Sequence, residues 1–592
     1  MRQEQATLIE QIVHDHGADR TRLMDVARAV NRLFGYVPHD AIPIMATCLG
    51  MTPVEVRDAV SFYGHFSMTP QGRSVVRLCN AVVERMMGAD DVAAAFEHEC
   101  GTKFGTTTND GAISLSYTPC IGLSDQAPNA LIDGIAFTNL HAEDVPSIVS
   151  GLRAGKDLSD HPKAQVVHNL EQPGPIIFQC MDTGDSGLER LLELTPDEVI
   201  SEIKESGMRG AGGAGFPAAI KWQTCRDAPG EKHYVICNAD EGEPGTFKDR
   251  ILLARNAHQV FEGMTVAAYA VGATEGIVYL RGEYEYLYDQ LEAVLQHRRD
   301  AGQLGTAILG HTGFDFDIRI QLGAGSYIVG EEFALIESLE GRRAAPRERP
   351  PFPVEHGYHN QPTLVSNVET FASAASVIHC GPQWFSSFGT EKSKGTKLLS
   401  ISGDVGRPGV YEIEYGTTIE EILSLIEARD TQAVQIGGAS GKCVSPRDFS
   451  RKIAFEDIPT GGSFIVFDNT RDVLEYMRQF SHFFAEESCG WCAPCRIGTT
   501  ILAEFMDRLV AGGVSRAELE QIKQTCATIS GSSRCGLGVT APRPLVTSLE
   551  SLPELYEKRL KDEPDTPHFD MHEAIRRGAQ AAGRPVPEEV HE

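Results

Sequence analysis

Residues 207–222 read GMRGAGGAGFPAAIKW. Gly210, Gly212 and Gly215 spell G-x-G-x-x-G, letters that mark a dinucleotide-binding turn when a strand precedes them and a helix follows. Here the preceding residues are TPDEVISEIKESGM. Thr195 can cap, Pro196 suits a first turn and Glu198 completes a capping box, so a helix leads into the glycines. The ordinary nicotinamide-Rossmann reading fails on that context. No Lys-Ser or Lys-Thr follows, which excludes a Walker A loop. FPAAIKW starts a helix directly after the glycines, and the free N–H groups of a helix start suit an anion. Lys221 lies one or two turns in, within reach of the same phosphate. The spacing favours a phosphate cradle over a flexible glycine loop.

Outward from this stretch, CNADEGEPGTFKDR (237–250) follows the strand-like HYVI. It places Asn238, Asp240, Glu241 and Glu243 at a strand end, where α/β sheets bind ligands; a solvated acidic turn is the alternative. GAGSYIVGEEFALIESLEG (323–341) joins another strand-like run to Gly-Glu-Glu and a helix. The chain divides by composition. Residues 1–70 are helical in pattern, and 71–155 resemble a small α/β domain. Residues 156–175 form a polar linker ending in Pro-Gly-Pro. Residues 176–395 alternate strands and helices, 396–470 form a β-rich module around TIEEILSLIEA, and 471–560 are helical. The tail, 561–592, is polar and proline-rich, and expected to be flexible or partner-bound.

The 592 residues carry a formal net charge of −29. That acidity argues against nucleic acid and anionic lipid as partners. No run of eighteen apolar residues is present to span a bilayer, and the first residues lack a signal-peptide core. The expected compartment is the cytoplasm, where the fourteen cysteines are thiols or metal ligands.

ESCGWCAPCRIG gives Cys489, Cys492 and Cys495 as C-x2-C-x2-C, and SSRCGLG supplies Cys535. Three thiolates on one turn and a distant fourth suit the four irons of a cuboidal [4Fe–4S] cluster. Zinc sites more often pair two separate C-x2-C knuckles. Cys48, Cys100, Cys180, Cys225, Cys237, Cys380, Cys443 and Cys526 stand alone and read mostly as buried thiols. No histidine is assigned to metal.

Together, RGAGGAGFPAAIKW, CNADEGEPGTFKDR, GAGSYIVGEE, PTLVSNVETFA and the cysteine motif resemble the flavin-bearing, NADH-oxidising subunit of respiratory complex I and its relatives, over residues 180–555. The resemblance implies a multidomain α/β chain: an FMN-binding Rossmann-like domain, a ubiquitin-like β-grasp module and a helical bundle holding [4Fe–4S]. The first 160 residues resemble the family's small thioredoxin-like partner, through VRDAVSFYGHF and GRSVVRLCNAVV. That partner binds [2Fe–2S] through C-x4-C and C-x3-C. Here Glu84 follows Cys79 and Ser124 follows Cys120 at the second and fourth positions. The expectation is a degenerate thioredoxin-like domain with no [2Fe–2S] cluster. The fusion resembles the diaphorase subunit of soluble NAD-reducing [NiFe]-hydrogenases, with formate dehydrogenase or complex I as alternatives. The partners implied are a ferredoxin-like iron–sulfur subunit and hydrogenase subunits.

The resemblance also implies roles. Gly210, Gly212 and Lys221 would contact FMN; Asn238, Asp240, Gly330, Glu331, Asn367 and Thr370 would line the flavin. Gly213, Ala214, Phe216, Glu243 and Tyr327 would line the NAD(H) cavity with Glu332, Arg349 and Phe352. Phe216 and Phe352 offer flat faces for an adenine. No side chain is expected to act as a catalytic nucleophile, because the cofactors carry the chemistry. Ala211, Ser366 and Arg349 stand where the family usually has arginine, asparagine and lysine. The acidic pair Glu331 and Glu332 should disfavour the 2′-phosphate of NADP. Steady-state assays should therefore run faster with NADH than NADPH, and Glu332→Gln should relax the preference; comparable rates with both nucleotides in the parent protein would refute this.

Overall fold

The computed structural model describes residues 3–179, 187–561 and 571–584. Four helices open the chain: Gln3–Asp15, Leu23–Phe34, Ala41–Leu49 and Pro53–Phe62. Leu23, Val26, Ala27 and Val30, three and four residues apart, are all buried, as an amphipathic helix requires. Strands β1 (Ser74–Cys79), β2 (Ile113–Thr118), β3 (Ala130–Ile132) and β4 (Ile135–Phe137) follow. They form a sheet of order β2-β1-β3-β4, with β1 parallel to β2 and antiparallel to β3.

A short strand, β5 (Leu170–Gln172), falls inside the stretch expected to be linker. It pairs in parallel with β11 (Gly409–Glu414) of a later sheet. The cause is Glu412, whose carboxylate accepts the N–H groups of Gly174, Ile176 and Ile177 at 2.9–3.0 Å. Three donors on one buried carboxylate pin the polar segment to the sheet edge.

The central sheet holds β6 (Tyr234–Ala239), β7 (Glu275–Leu280), β8 (Asp317–Leu322) and β9 (Thr363–Asn367). Its order is β8-β7-β6-β9 and every pair is parallel. The chain steps from β6 through β7 to β8 on one side and returns with β9 on the other. That reversal beside β6 is a topological switch point, and all four strands end at the same edge. Helices Lys248–Val271 and Val368–Cys380 pack directly on each other. The approach needs Gly263, because a Cβ there would sit 1.8 Å from the Phe371 carbonyl oxygen.

A six-stranded sheet follows, of order β13-β12-β14-β10-β11-β5, built from β10 (Thr396–Gly403), β11, β12 (Thr431–Ile436), β13 (Lys442–Val444) and β14 (Ser463–Asp468). One helix, Ile419–Leu425, covers it with a capping box from Thr418 and Glu421. The remainder is largely helical: Val473–Glu487, Ala493–Val510, Arg516–Ser532 and Arg543–Ser551. Met571–Ala581, in the expected flexible tail, is also helical. Cys180 lies outside the described residues and Cys380 is disulfide-bonded, a departure from the expectation of thiols.

The N-terminal region is fastened to the central domain by buried charge. Arg250 Nη2 donates to Asp125 Oδ1 at 2.6 Å, and both side chains are fully buried. Arg281 Nη2 donates to the Cys120 carbonyl and Nη1 to the Glu241 carbonyl, each at 2.7 Å. Breaking a buried pair leaves one charge stranded and costs about 3–5 kcal/mol. Asp125→Ala should therefore lower the thermal unfolding midpoint markedly. The double replacement Asp125→Leu with Arg250→Met should recover most of that loss, read by calorimetry of the full chain.

Candidate functional site: a cradle at the switch point and a four-cysteine cluster

The helix entering the glycine stretch is Pro196–Ser206, with a capping box in which Thr195 N donates to Glu198 Oε2 at 2.7 Å. Gly207 ends it in the left-handed region at φ 69°. The loop then closes on itself. Gly210 N donates to the Phe216 carbonyl at 2.9 Å and Arg209 Nε to the Gly215 carbonyl at 2.5 Å. Gly215 is irreplaceable on two counts: its φ is 63°, and a Cβ would meet the Phe455 ring at 2.3 Å. The next helix, Ala218–Asp227, starts directly after the loop.

The loop lies against the switch point. Ala211 N donates to Thr370 Oγ1 at 2.9 Å. A Cβ on Gly212 would stand 3.3 Å from the Asn367 Cβ. Asn238, from the end of β6, donates through Nδ2 to the Gly330 carbonyl at 2.9 Å. Asp240 is buried, and its Oδ2 has no hydrogen-bond partner in the protein. Burial pushes its carboxyl well above the usual carboxylate range. That orphaned oxygen faces Gly242 and Gly330, whose missing side chains leave room beside it. An unsatisfied buried acceptor in a glycine-lined cradle fits a ligand that brings donors, such as a ribityl chain. So Gly210, Gly212, Asn238, Asp240, Gly330, Asn367 and Thr370 gather round one edge of one sheet.

The other expected residues are arranged differently from simple cavity lining. Lys221 forms an ion pair with Glu332, and Arg349 one with Glu331. Glu331 also caps helix Glu332–Leu339 by accepting Ala334 N at 2.9 Å. The acidic pair is thus balanced by two cations. Glu243 accepts Tyr327 OH at 2.8 Å and Ser440 N at 2.9 Å, which ties both to the β10–β14 sheet. Gly213, at φ 129°, stands beside Gly461, in the bend that leads into β14. Ala214 is exposed, and so are the rings of Phe216 and Phe352, 53% and 46%.

A buried charge ladder that no motif announces lies beneath the loop. Lys397, on β10, donates to Glu369 Oε2 at 2.5 Å and to the Ala211 carbonyl at 2.9 Å. Lys248 Nζ reaches Glu369 at 3.0 Å, Asp249 at 2.6 Å and Asn367 Oδ1 at 3.2 Å. Burial pulls the Lys397 ammonium down to about 8 against the pull of Glu369. The signal for it is a lysine inside the apolar run KLLSIS; a lysine inside a buried strand needs a partner. Glu487 carries no such signal. Its carboxylate accepts Tyr327 N at 2.9 Å, and burial pushes it up to about 7.

Cys492 caps helix Ala493–Val510 and Cys535 caps helix Gly536–Thr540. Cys489 and Cys495 are buried nearby. Burial pushes the Cys489 and Cys535 thiols up. Packing between the two halves is close, since a Cβ on Gly538 would stand 3.0 Å from the Cys495 Cβ. Among the described residues no three ligand side chains group tightly enough for a single metal ion. Four cysteine thiols from two stretches of chain, three of them at two-residue intervals, are the donor set that an all-thiolate [4Fe–4S] cluster would need. Arg343 Nη2 holds the Cys489 carbonyl at 2.6 Å.

In the N-terminal region Cys79, Glu84, Cys120 and Ser124 are all buried and converge. Ser124 Oγ donates to Glu84 Oε1 at 2.9 Å and lies 3.5 Å from the Cys120 sulfur. Asn129 Nδ2 donates to the same carboxylate at 3.0 Å.

Residues 203–376 match the family described as the Nuo51 FMN-binding domain. Residues 475–559 match the NADH-ubiquinone oxidoreductase-F iron-sulfur binding region. Residues 9–153 match the thioredoxin-like [2Fe-2S] ferredoxin family. This last match corrects the expectation that no [2Fe–2S] belongs to the N-terminal domain: two substituted ligand positions outweighed, in sequence analysis, a likeness carried by the whole domain. The NAD-reducing hydrogenase HoxS subunit alpha of Cupriavidus necator is 46% identical, over 96% of this chain and 97% of its own. An NADH-quinone oxidoreductase subunit of Escherichia coli is 36% identical over 68% of this chain and 93% of its own. A crystal structure of an NAD+-reducing [NiFe]-hydrogenase in the H2-reduced state contains a chain that superposes with a TM-score of 0.87 at 34% identity, covering 97% of this chain and 99% of that one. The chain belongs to the family of the NAD-reducing hydrogenase alpha subunit, and through its central and C-terminal regions to the wider flavoprotein family of complex I.

The Glu487 carboxyl gives a pH test. An unfolded glutamate loses its proton near 4.5, the folded one near 7. Between those values the folded state binds more protons, so this group's stabilisation is full below 4.5 and lost as pH rises through 7. Glu487→Gln should abolish a fall of about 2–3 kcal/mol across that window. Denaturant unfolding at pH 5 and pH 8 measures it, and an unchanged slope counts against the assignment.

Proposed function

We propose that this chain is the diaphorase subunit of an NAD-reducing hydrogenase: an NAD-dependent flavin and iron–sulfur oxidoreductase. What carries the reading is a single chain, related end to end to the HoxS alpha subunit, that unites the switch-point cradle with the four-cysteine site. The chemistry supplied by FMN is exchange of an electron pair with NAD(H) and of single electrons with the [4Fe–4S] cluster.

The chain's own residues bind and orient. Gly210, Gly212, Asn238, Asp240, Gly330, Asn367 and Thr370 would hold the flavin, and Gly213 would line the NAD(H) cavity. The unpartnered Oδ2 of Asp240, whose carboxyl burial pushes up, would accept a hydrogen bond from a flavin hydroxyl. Phe216 and Phe352 offer exposed faces to the adenine. Ala214, Glu243 and Tyr327 would border the nicotinamide side. Lys221, Glu331, Glu332 and Arg349 form paired charges at the nucleotide mouth, and a bound nucleotide would exchange partners with them. Cys489, Cys492, Cys495 and Cys535 would hold the cluster.

We read residues 1–70 and 71–155 as the helical and thioredoxin-like parts of one N-terminal unit, and 176–395 as the flavin domain. Residues 396–470 are read as a ubiquitin-like β-grasp module and 471–560 as a helical bundle for the cluster. The relatives named for multisubunit hydrogenases support assembly with hydrogenase subunits, and a ferredoxin-like iron–sulfur subunit is the electron partner we infer. Thiolate ligation suits the reducing cytoplasm. No helix among the described residues is long and apolar enough to cross a membrane.

The test is the visible spectrum of the purified chain, with flavin and metal counted. One FMN and about four irons are expected for the flavin and cuboidal sites, and two further irons for a two-iron centre. Cys535→Ser should lose the four-iron signal and keep the flavin. Bound zinc with neither iron nor flavin would overturn the reading.

A further inference from the structure

The groove beside the cysteine loop is lined by Cys489, Gly490, Trp491, Arg343 and Arg534. Arg343 is matched by Asp58 at 3.3 Å and by the Cys489 carbonyl. Arg534 is not matched in this way. It immediately precedes Cys535, and its guanidinium carbon lies 5.6 Å from the centre of the Trp491 ring. Trp491 stands between Cys489 and Cys492, so this cation sits at the seam between the two halves of the ligand set. Its sole ion-pair partner among the described residues is Glu348, at 3.4 Å, whose side chain is 86% exposed. Water screens such a carboxylate, which weakens its pairing with the arginine. The Arg534 Nε is buried and no protein atom accepts its proton. Leaving a charged donor unsatisfied is costly, so an acceptor from outside the polypeptide is called for.

We propose that Arg534 tunes the cluster at Cys489, Cys492, Cys495 and Cys535, its charge and its Nε–H favouring the reduced state and raising the reduction potential. The physical ground is that an all-thiolate [4Fe–4S] centre gains one negative charge on reduction, and a fixed cation held beside the ligand set stabilises that form. The inference rests on the assignment of a cluster to these four cysteines.

The test is a redox titration of the full chain followed by electron paramagnetic resonance, with iron and FMN counted in each variant. R534Q should shift the potential downward at unchanged iron content, R534E should shift it further, and R534K should shift it least, because charge is kept while the Nε–H is lost. Should R534Q or R534E lose iron, R534K is read alone, and its potential must still fall. Equal potentials in every variant that keeps its iron would overturn the proposal. A parent chain without a four-iron centre would instead overturn the cluster assignment itself.

Discussion

The backbone of Ala211 is gripped at both ends, and much else depends on that grip. Its N–H goes to Thr370 on the helix after β9, and its carbonyl to the buried ammonium of Lys397 on β10. A glycine loop has little side chain with which to hold its own shape, so its geometry must come from outside. Here the helix after β9 and a strand of the next sheet supply it. Lys397 is held in turn by Glu369, and Glu369 by Lys248, whose other contacts are Asp249 and Asn367. Two cations and two anions alternate without exposure to water, an arrangement in which removing one member strands its neighbours. The cradle is therefore as rigid as the ladder beneath it, and the β10–β14 sheet is part of the site although it lies far along the chain.

The N-terminal region has a similar relation to the loops above the sheet. Gly64 and His65 donate through their N–H groups to the Gly325 and Ala324 carbonyls at 2.9 and 3.0 Å. Arg28 Nη2 donates to the Gly323 carbonyl at 2.5 Å. The 323–331 loop, which supplies Gly330 and Glu331, is thus braced by helices hundreds of residues earlier. Arg343 extends the brace to the cysteine loop, with its guanidinium carbon 4.8 Å from the Phe62 ring centre. The N-terminal domain consequently supports both the switch-point cradle and the cysteine loop.

How far this was legible from the residues varies with the kind of interaction. The strands HYVICNA and EGIVYL and the capped helix before the glycines follow from local pattern, because capping and periodicity act over a few residues. The C-x2-C-x2-C spacing is local in the same way, and it falls within residues 475–559, which match the iron-sulfur binding family. The linker did not: nothing within residues 156–175 announces that Glu412 will gather it onto a sheet edge. The N-terminal cluster site misled through its two substituted positions, while the likeness over residues 9–153 carried the family. The distance of Lys221 from the glycines points it at a phosphate, yet its charge is met by Glu332, over a hundred residues away.

The sequence by itself determined the local grammar: where helices are capped, where glycines must turn, which cysteines share a motif, and which region belongs to which family. Each of these is written within a short window or in a motif whose spacing is its chemistry. Tertiary structure alone decided that the glycine loop meets the switch point between β6 and β9, that Lys397 reaches Ala211, and that Arg534 lies over Trp491. Those contacts join residues far apart in the chain through buried charge. Which distant partner a buried charge takes depends on how whole elements pack, and no local pattern records it.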